Sequence, residues 1–177
     1  MAKGTERRTR SKPCHLYLVR HAIAAERGRQ WPDDAKRPLT HKGAARMRQI
    51  VMGLRELGVE FDLVLTSPLV RARQTAELLI AGVRSKPTLE VTDALAPGEP
   101  PVKVAAMLAK HSASCSIALV GHEPGLGELA AWLVGANEPF VMKKGGVCCI
   151  QVNALPPARH GQVVWHATPR MLRALAK

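Results

Sequence analysis

Short apolar runs alternate along this chain with stretches whose apolar residues return every third or fourth position. The first pattern marks buried strands, the second helices with one buried face. Residues 15–20 (HLYLVR), 62–66 (DLVLT) and 116–120 (SIALV) read as buried strands, and 88–91 as a shorter one. Residues 146–152 and 162–166 read as late strands paired across the Pro156-Pro157 loop. Met47, Ile50, Val51, Leu54 and Leu57 define one face of a helix that Thr40 caps and Gly58 stops. Ser67-Pro68, a cap residue and then proline at the first helical position, opens a second helix to about Ala81, with Val70, Leu78 and Leu79 inward. Residues 102–110 and 125–134 complete the helices, with Leu126, Leu129, Ala130 and Leu133 in the core. Residues 22–39 and 94–101 are loops by their Gly, Pro and Asp content. Strands alternating with helices predict an α/β fold, a three-layer α/β/α sandwich around a mainly parallel sheet.

Composition adds bounds to this picture. The 177 residues, 46% of them hydrophobic, suit one domain over residues 13–177 behind a basic, solvated tail over 1–12. No apolar run approaches the roughly 18 residues that span a bilayer. The charged start resembles no secretory signal, so the expected location is the cytoplasm and no membrane partner is expected. Cys14, Cys115, Cys148 and Cys149 have neither zinc-site nor disulfide spacing and read as reduced thiols packed on strands. The net charge of +12 favours anionic partners without choosing among nucleic acid, membrane surface and phosphorylated substrates. Trp31, Trp132 and Trp165 are scattered and give no base-stacking platform, which argues against nucleic acid.

The candidate chemistry lies where strands end. Arg20-His21 closes the first strand, Arg71 sits in the first turn of the helix after the second, and His122 follows 116–120. Ligand sites of open α/β sheets gather beyond the carboxyl ends of strands, so the fold brings two histidines and two arginines to one edge. A guanidinium fork matches phosphate oxygens, and an imidazole can attack phosphorus. His15, His41, His111, His160 and His166 match no ligand set, and Arg73 faces solvent. Asp33, Asp34 and Arg37 either rim the pocket or pair with one another, pairing being the simpler reading. Lys143 and Lys144, before Gly145-Gly146, either frame a negative substrate or form a solvated turn, the turn being the simpler reading.

LVRHA at 18–22, SPLVRARQTAELL at 67–79 and VGHEPGLGELAAWL at 120–133 resemble the histidine phosphatase superfamily, the phosphoglycerate mutase-like enzymes. With RPLTHKG at 37–43 and LAPGEP at 95–100 the chain is most similar to the short, SixA-type phosphohistidine phosphatase branch, over residues 16–152. Ala22 stands where that pattern usually has glycine. The resemblance implies a phosphoglycerate mutase-like fold, His21 as a phosphorylated nucleophile, and Arg20, Arg71 and His122 as ligands of the phosphoryl oxygens. It implies no cofactor or metal. Repulsion from Arg20 and Arg71 is expected to keep His21 neutral at pH 7. The general acid is open between Glu99 and Asp93, Glu99 being preferred for its place in the Pro-Gly loop. The implied substrate is phosphohistidine on a protein, with small phosphoesters as the alternative. A basic binding protein that keeps the fold without turnover is the reading outside enzymes. Mutase activity, which needs a lid against water, finds no insertion of that length.

Overall fold

The structure, a computed structural model, describes residues 13–157 and 160–176; the tail read at 1–12 lies outside the described residues. Strands β1 (Cys14–Arg20), β2 (Leu63–Thr66), β3 (Thr88–Val91), β4 (Ser116–Gly121), β5 (Val147–Val152) and β6 (Gln162–Ala167) form one sheet in the order β3-β2-β4-β1-β5-β6. The first four strands in that order run parallel, and β5 and β6 add an antiparallel margin. Helices α1 (His41–Glu56), α2 (Val70–Gly82), α3 (Pro101–Leu108), α4 (Gly125–Val134) and α5 (Pro169–Leu175) cover it.

Alternation along β1 divides the core. Leu16 and Leu18 point to one face, where they join residues of α3 and α4. Tyr17 and Val19 point to the other, where they join α1, α2 and α5. Successive side chains of a strand must leave on opposite sides, so a strand apolar throughout needs helices on both faces. The expected three-layer sandwich is therefore present, with β1 and β4 buried at its centre.

Two expectations need correction. Ser67 does not cap α2: the helix begins at Val70 after Leu69, and Pro68 precedes it. The Ser67 hydroxyl instead accepts from Leu69 N–H and faces His122, so it serves a turn and the adjoining cleft. The inward face of α2 is made by Ala72, Thr75, Ala76 and Leu79, with Val70 and Leu78 only half-buried. Helix α5 has no counterpart in the sequence reading, although Thr168-Pro169 is a cap followed by proline at the first position.

α5 and α1 approach closely at Gly53. A Cβ there would stand 1.9 Å from the Leu172 carbonyl oxygen, a backbone atom that cannot step aside. Gly53→Ala is expected to lower stability by about 1–3 kcal/mol, read as a shift of the urea midpoint at unchanged m-value.

Candidate active site

The connections out of the sheet explain why four polar side chains meet. β1 and β2 lead to α1 and α2 on one face, whereas β4, lying between them, leads to α4 on the other. Diverging connections open a crevice at the carboxyl ends of β1, β4 and β2. His21, His122 and Arg71 all follow those strand ends. β1 and β4 pair with Arg20 opposite Gly121, and His21 N–H donates to the Gly121 carbonyl at 3.0 Å. The two imidazole centroids lie 5.0 Å apart at 53°. His21, Arg71 and His122 are all buried.

Hydrogen bonds set the chemistry of His21. Its Nδ1 stands 2.7 Å from the Ala22 carbonyl oxygen, which can only accept, so Nδ1 carries the proton. The Nε2 lone pair then faces Arg71 Nε, which donates to it at 3.3 Å. Burial is the main force that pushes the His21 pKa down to about 4, with repulsion from Arg71, Arg20 and Lys144 adding to it against the Ala22 bond. The expectation of a neutral ring holds, but the dominant cause is lost hydration rather than charge. His122 is pushed down to about 3, again chiefly by burial and then by His21 and Arg71.

Among the described residues two buried side-chain nitrogens lack hydrogen-bond partners, Arg20 Nε and His122 Nδ1. Buried polar groups are normally satisfied, so both are potential donors to a polar ligand. Arg20 is otherwise aimed by Nη1, which donates to the Met142 carbonyl at 2.6 Å. Glu123 holds the other side of that residue by accepting from Met142 N–H at 2.8 Å. His122 Nε2 lies 2.8 Å from Ser67 Oγ. Since Ser67 Oγ already accepts from Leu69, its own hydrogen is available to Nε2. With Ser67 donating to Nε2, His122 carries its proton on Nδ1 as a further donor.

Asp34 is the residue the sequence reading undervalued. It pairs with Arg37 as anticipated and also with Arg27, and its Oδ2 lies 3.0 Å from Arg71 Nη2. Arg71 Nη1 donates to the Asp34 carbonyl at 2.8 Å, so the loop after β1 grips the guanidinium twice. Burial opposes ionisation of Asp34, but Arg71, Arg37 and Arg27 outweigh it and hold the carboxyl below its ordinary range. Thr75, one turn beyond Arg71, accepts from Ala22 N–H at 3.1 Å and donates to the Arg71 carbonyl at 2.7 Å, tying the loop after β1 to α2. Its i+4 relation to Arg71 was the sequence signal for it.

Glu99 lines a cleft that His122 also lines, and its carboxylate is paired with Lys103. Asp93 is exposed at the start of a 3-10 turn and does not line that cleft. Arg73, Lys143 and Lys144 are exposed. Cys14, Cys148 and Cys149 are buried thiols on β1 and β5, and Cys115 is partly buried. Among the described residues no three His, Cys, Asp or Glu side chains are grouped to hold a metal ion, and no helix is long and apolar enough to cross a membrane.

The two buried imidazoles predict an acid-sensitive fold. Their native pKa values lie below the unfolded value near 6.5, so the unfolded chain binds more protons between about pH 6.5 and 4. Their stabilising effect is complete above pH 6.5 and is lost as the pH falls toward 4. Urea unfolding followed across that range should show a slope approaching two protons, and His122→Asn should reduce it toward one.

Comparison with known proteins gives four results. The family model for the histidine phosphatase superfamily (branch 1) matches residues 16–96, a span that includes Arg20, His21 and Arg71. An uncharacterized protein of Picosynechococcus sp. is 44% identical over 143 residues, 78% of this chain and 86% of that protein. Phosphohistidine phosphatase SixA of Escherichia coli is 27% identical over 160 residues, 89% of this chain and 96% of that protein. Among solved structures, the protein histidine phosphatase SixA complexed with tungstate superposes with a TM-score of 0.79 at 26% identity, covering 88% of this chain and 97% of that one.

Proposed function

The chain belongs to the histidine phosphatase superfamily, and on that premise we propose that it is a metal-independent phosphatase whose substrate is phosphohistidine on a protein. The observation that carries the reading is the orientation of His21, with Nδ1–H spent on the Ala22 carbonyl and the Nε2 lone pair turned toward Arg71. Nε2 attacks phosphorus in line as the bond to the leaving group breaks, and the electron pair departs with that group. The product is a phosphohistidine still protonated at Nδ1. Water then attacks phosphorus and the P–N bond breaks toward the ring. His21 leaves as a neutral imidazole, inorganic phosphate is released, and the water proton passes to phosphate or solvent. Arg71, Arg20 Nε and His122 Nδ1–H supply donors to the equatorial oxygens, where charge collects.

The choice of substrate rests on the leaving group. A phosphohistidine that has gained a proton on its free ring nitrogen, at a pKa near 6.5, departs as neutral imidazole. An alkoxide needs a proton from the enzyme during departure. Glu99 is the one carboxylate of the two candidates beside the His122 cleft, and its carboxylate is already engaged by Lys103. The E. coli relative named above carries phosphohistidine in its name. The location consistent with such a substrate is the cytoplasm.

Small phosphoesters are the second reading, supported by the presence of Glu99 at the cleft. Turnover of a phosphohistidine protein beside a panel of sugar and nucleotide phosphates separates the two. The proposal expects kcat/KM for phosphohistidine to exceed the best ester by at least about 100-fold, the scale of a missing acid. Comparable values together with a large loss on Glu99→Gln would establish the ester reading.

A further inference from the structure

Charge is segregated on this chain. Residues 35–55 and 139–177 contain no Asp or Glu, although each contains six Lys or Arg. These stretches include most of α1 and all of α5, which pack on the same face of the sheet. A cleft between them adjoins the site through Ala22, the neighbour of His21. Three of its lining residues are cationic (Arg46, Lys144 and Arg173) and four are apolar (Ala22, Ile23, Ile50 and Pro169).

The cations on the two sides of His21 are treated differently. Toward the loop after β1, Arg27, Arg37 and Arg71 are all matched by Asp34. Toward the α1–α5 cleft, none of the three cations has a carboxylate within ion-pair distance among the described residues. Arg173 Nε is aimed by the Pro169 carbonyl at 3.2 Å. Like charges gathered around one recess repel one another and create a local positive potential that an anion relieves. An apolar wall beside them suits the methylene stem of an acidic side chain. Among the described residues no aromatic ring lines the cleft, so it offers a nucleobase no aromatic platform.

We infer that this cleft is a second anion subsite, which takes a carboxylate of an acidic polypeptide whose phosphoryl group sits at His21. The inference rests on the phosphatase reading and extends it to what surrounds the phosphorylated residue. The subsite gives affinity rather than chemistry, so its effect falls on KM and weakens with salt.

Two phosphohistidine peptides of equal length test it, one flanked by Asp and Glu and one by Ser and Ala, with phosphoramidate as a donor that reaches only His21. The quantity read is the ratio of kcat/KM for the acidic over the neutral peptide, in which any change common to both cancels. In the full-length protein the ratio is expected to be about 10 at low salt. It should fall toward 1 in Arg46→Ala/Arg173→Ala with the change in KM, and circular dichroism should show the variant folded. A ratio near 1 in the unmodified protein, or a ratio that survives in the folded variant, overturns the inference. So does a small phosphocarboxylate preferred over both peptides, or a random oligonucleotide that competes better than the acidic peptide. Failure to turn over phosphoramidate would count against the phosphatase reading alone. Fluorescence anisotropy of the unphosphorylated acidic peptide then decides the subsite: binding that the double variant loses supports it, and no binding overturns it.

Discussion

Replacing His21 with alanine is expected to abolish turnover together with a phosphate adduct on the protein. During steady-state turnover of phosphoramidate, intact-mass spectrometry of the unmodified chain should show a transient, acid-labile mass increase of one phosphoryl group. His21→Ala should show none, with kcat lower by at least about 10⁴-fold, the scale seen when a covalent nucleophile is removed. The reason for choosing His21 over its neighbour is geometric. Both rings are buried and 5.0 Å apart. His21 alone has its Nδ1 proton fixed by a backbone carbonyl and its lone pair facing a guanidinium, whereas Nε2 of His122 is occupied by Ser67. An adduct that persists in His21→Ala and vanishes in His122→Ala would exchange the two roles.

Removing Arg71 should be the second most damaging change. Its guanidinium is 3% exposed and held by two contacts to Asp34, so its position is set before any ligand arrives. A donor organised in advance at the place where charge develops contributes about 10²–10³-fold to rate, and Arg71 combines that with a full positive charge. Arg71→Ala is therefore expected to lower kcat/KM by about 10³-fold. Arg71→Lys should recover little, because one ammonium cannot reach Asp34, its carbonyl and the His21 lone pair together. Added guanidinium should restore part of the activity of Arg71→Ala, which a merely unfolded variant would not allow. Retention of most activity in either variant would remove Arg71 from the phosphoryl site.

What could be read from the sequence follows from how local each signal is. The motif residues stand at strand ends, and strand ends are visible as the edges of apolar runs; hence Arg20, His21, Arg71 and His122 converge as anticipated. The Thr40 cap was legible because the whole device, the hydroxyl and the Gly43 N–H it receives at 2.9 Å, spans four residues. Asp34 was not, because its partner Arg71 lies 37 positions away, while Arg37, three away, offered a sufficient local explanation. Ser67 misled for a related reason. Ser-Pro is a helix start by local chemistry, but the hydroxyl turns to His122, 55 residues on. α5 went unseen because seven residues carry too short an apolar pattern, and its Thr168 cap is complemented by docking on α1.

The hydrogen bond from His21 N–H to the Gly121 carbonyl has a consequence for exchange with solvent. It carries the central parallel pair one residue past the end of β1, and residues 16–19 of β1 and 117–121 of β4 that lead up to it are buried. Amides in such a place exchange only when the whole domain opens. In deuterated buffer the His21 amide should therefore rank with the slowest of the chain, far behind those of the loop that carries Asp34. The reacting imidazole is thus mounted on the rigid middle of the molecule, and whatever adjusts to an arriving substrate must be the surrounding loops.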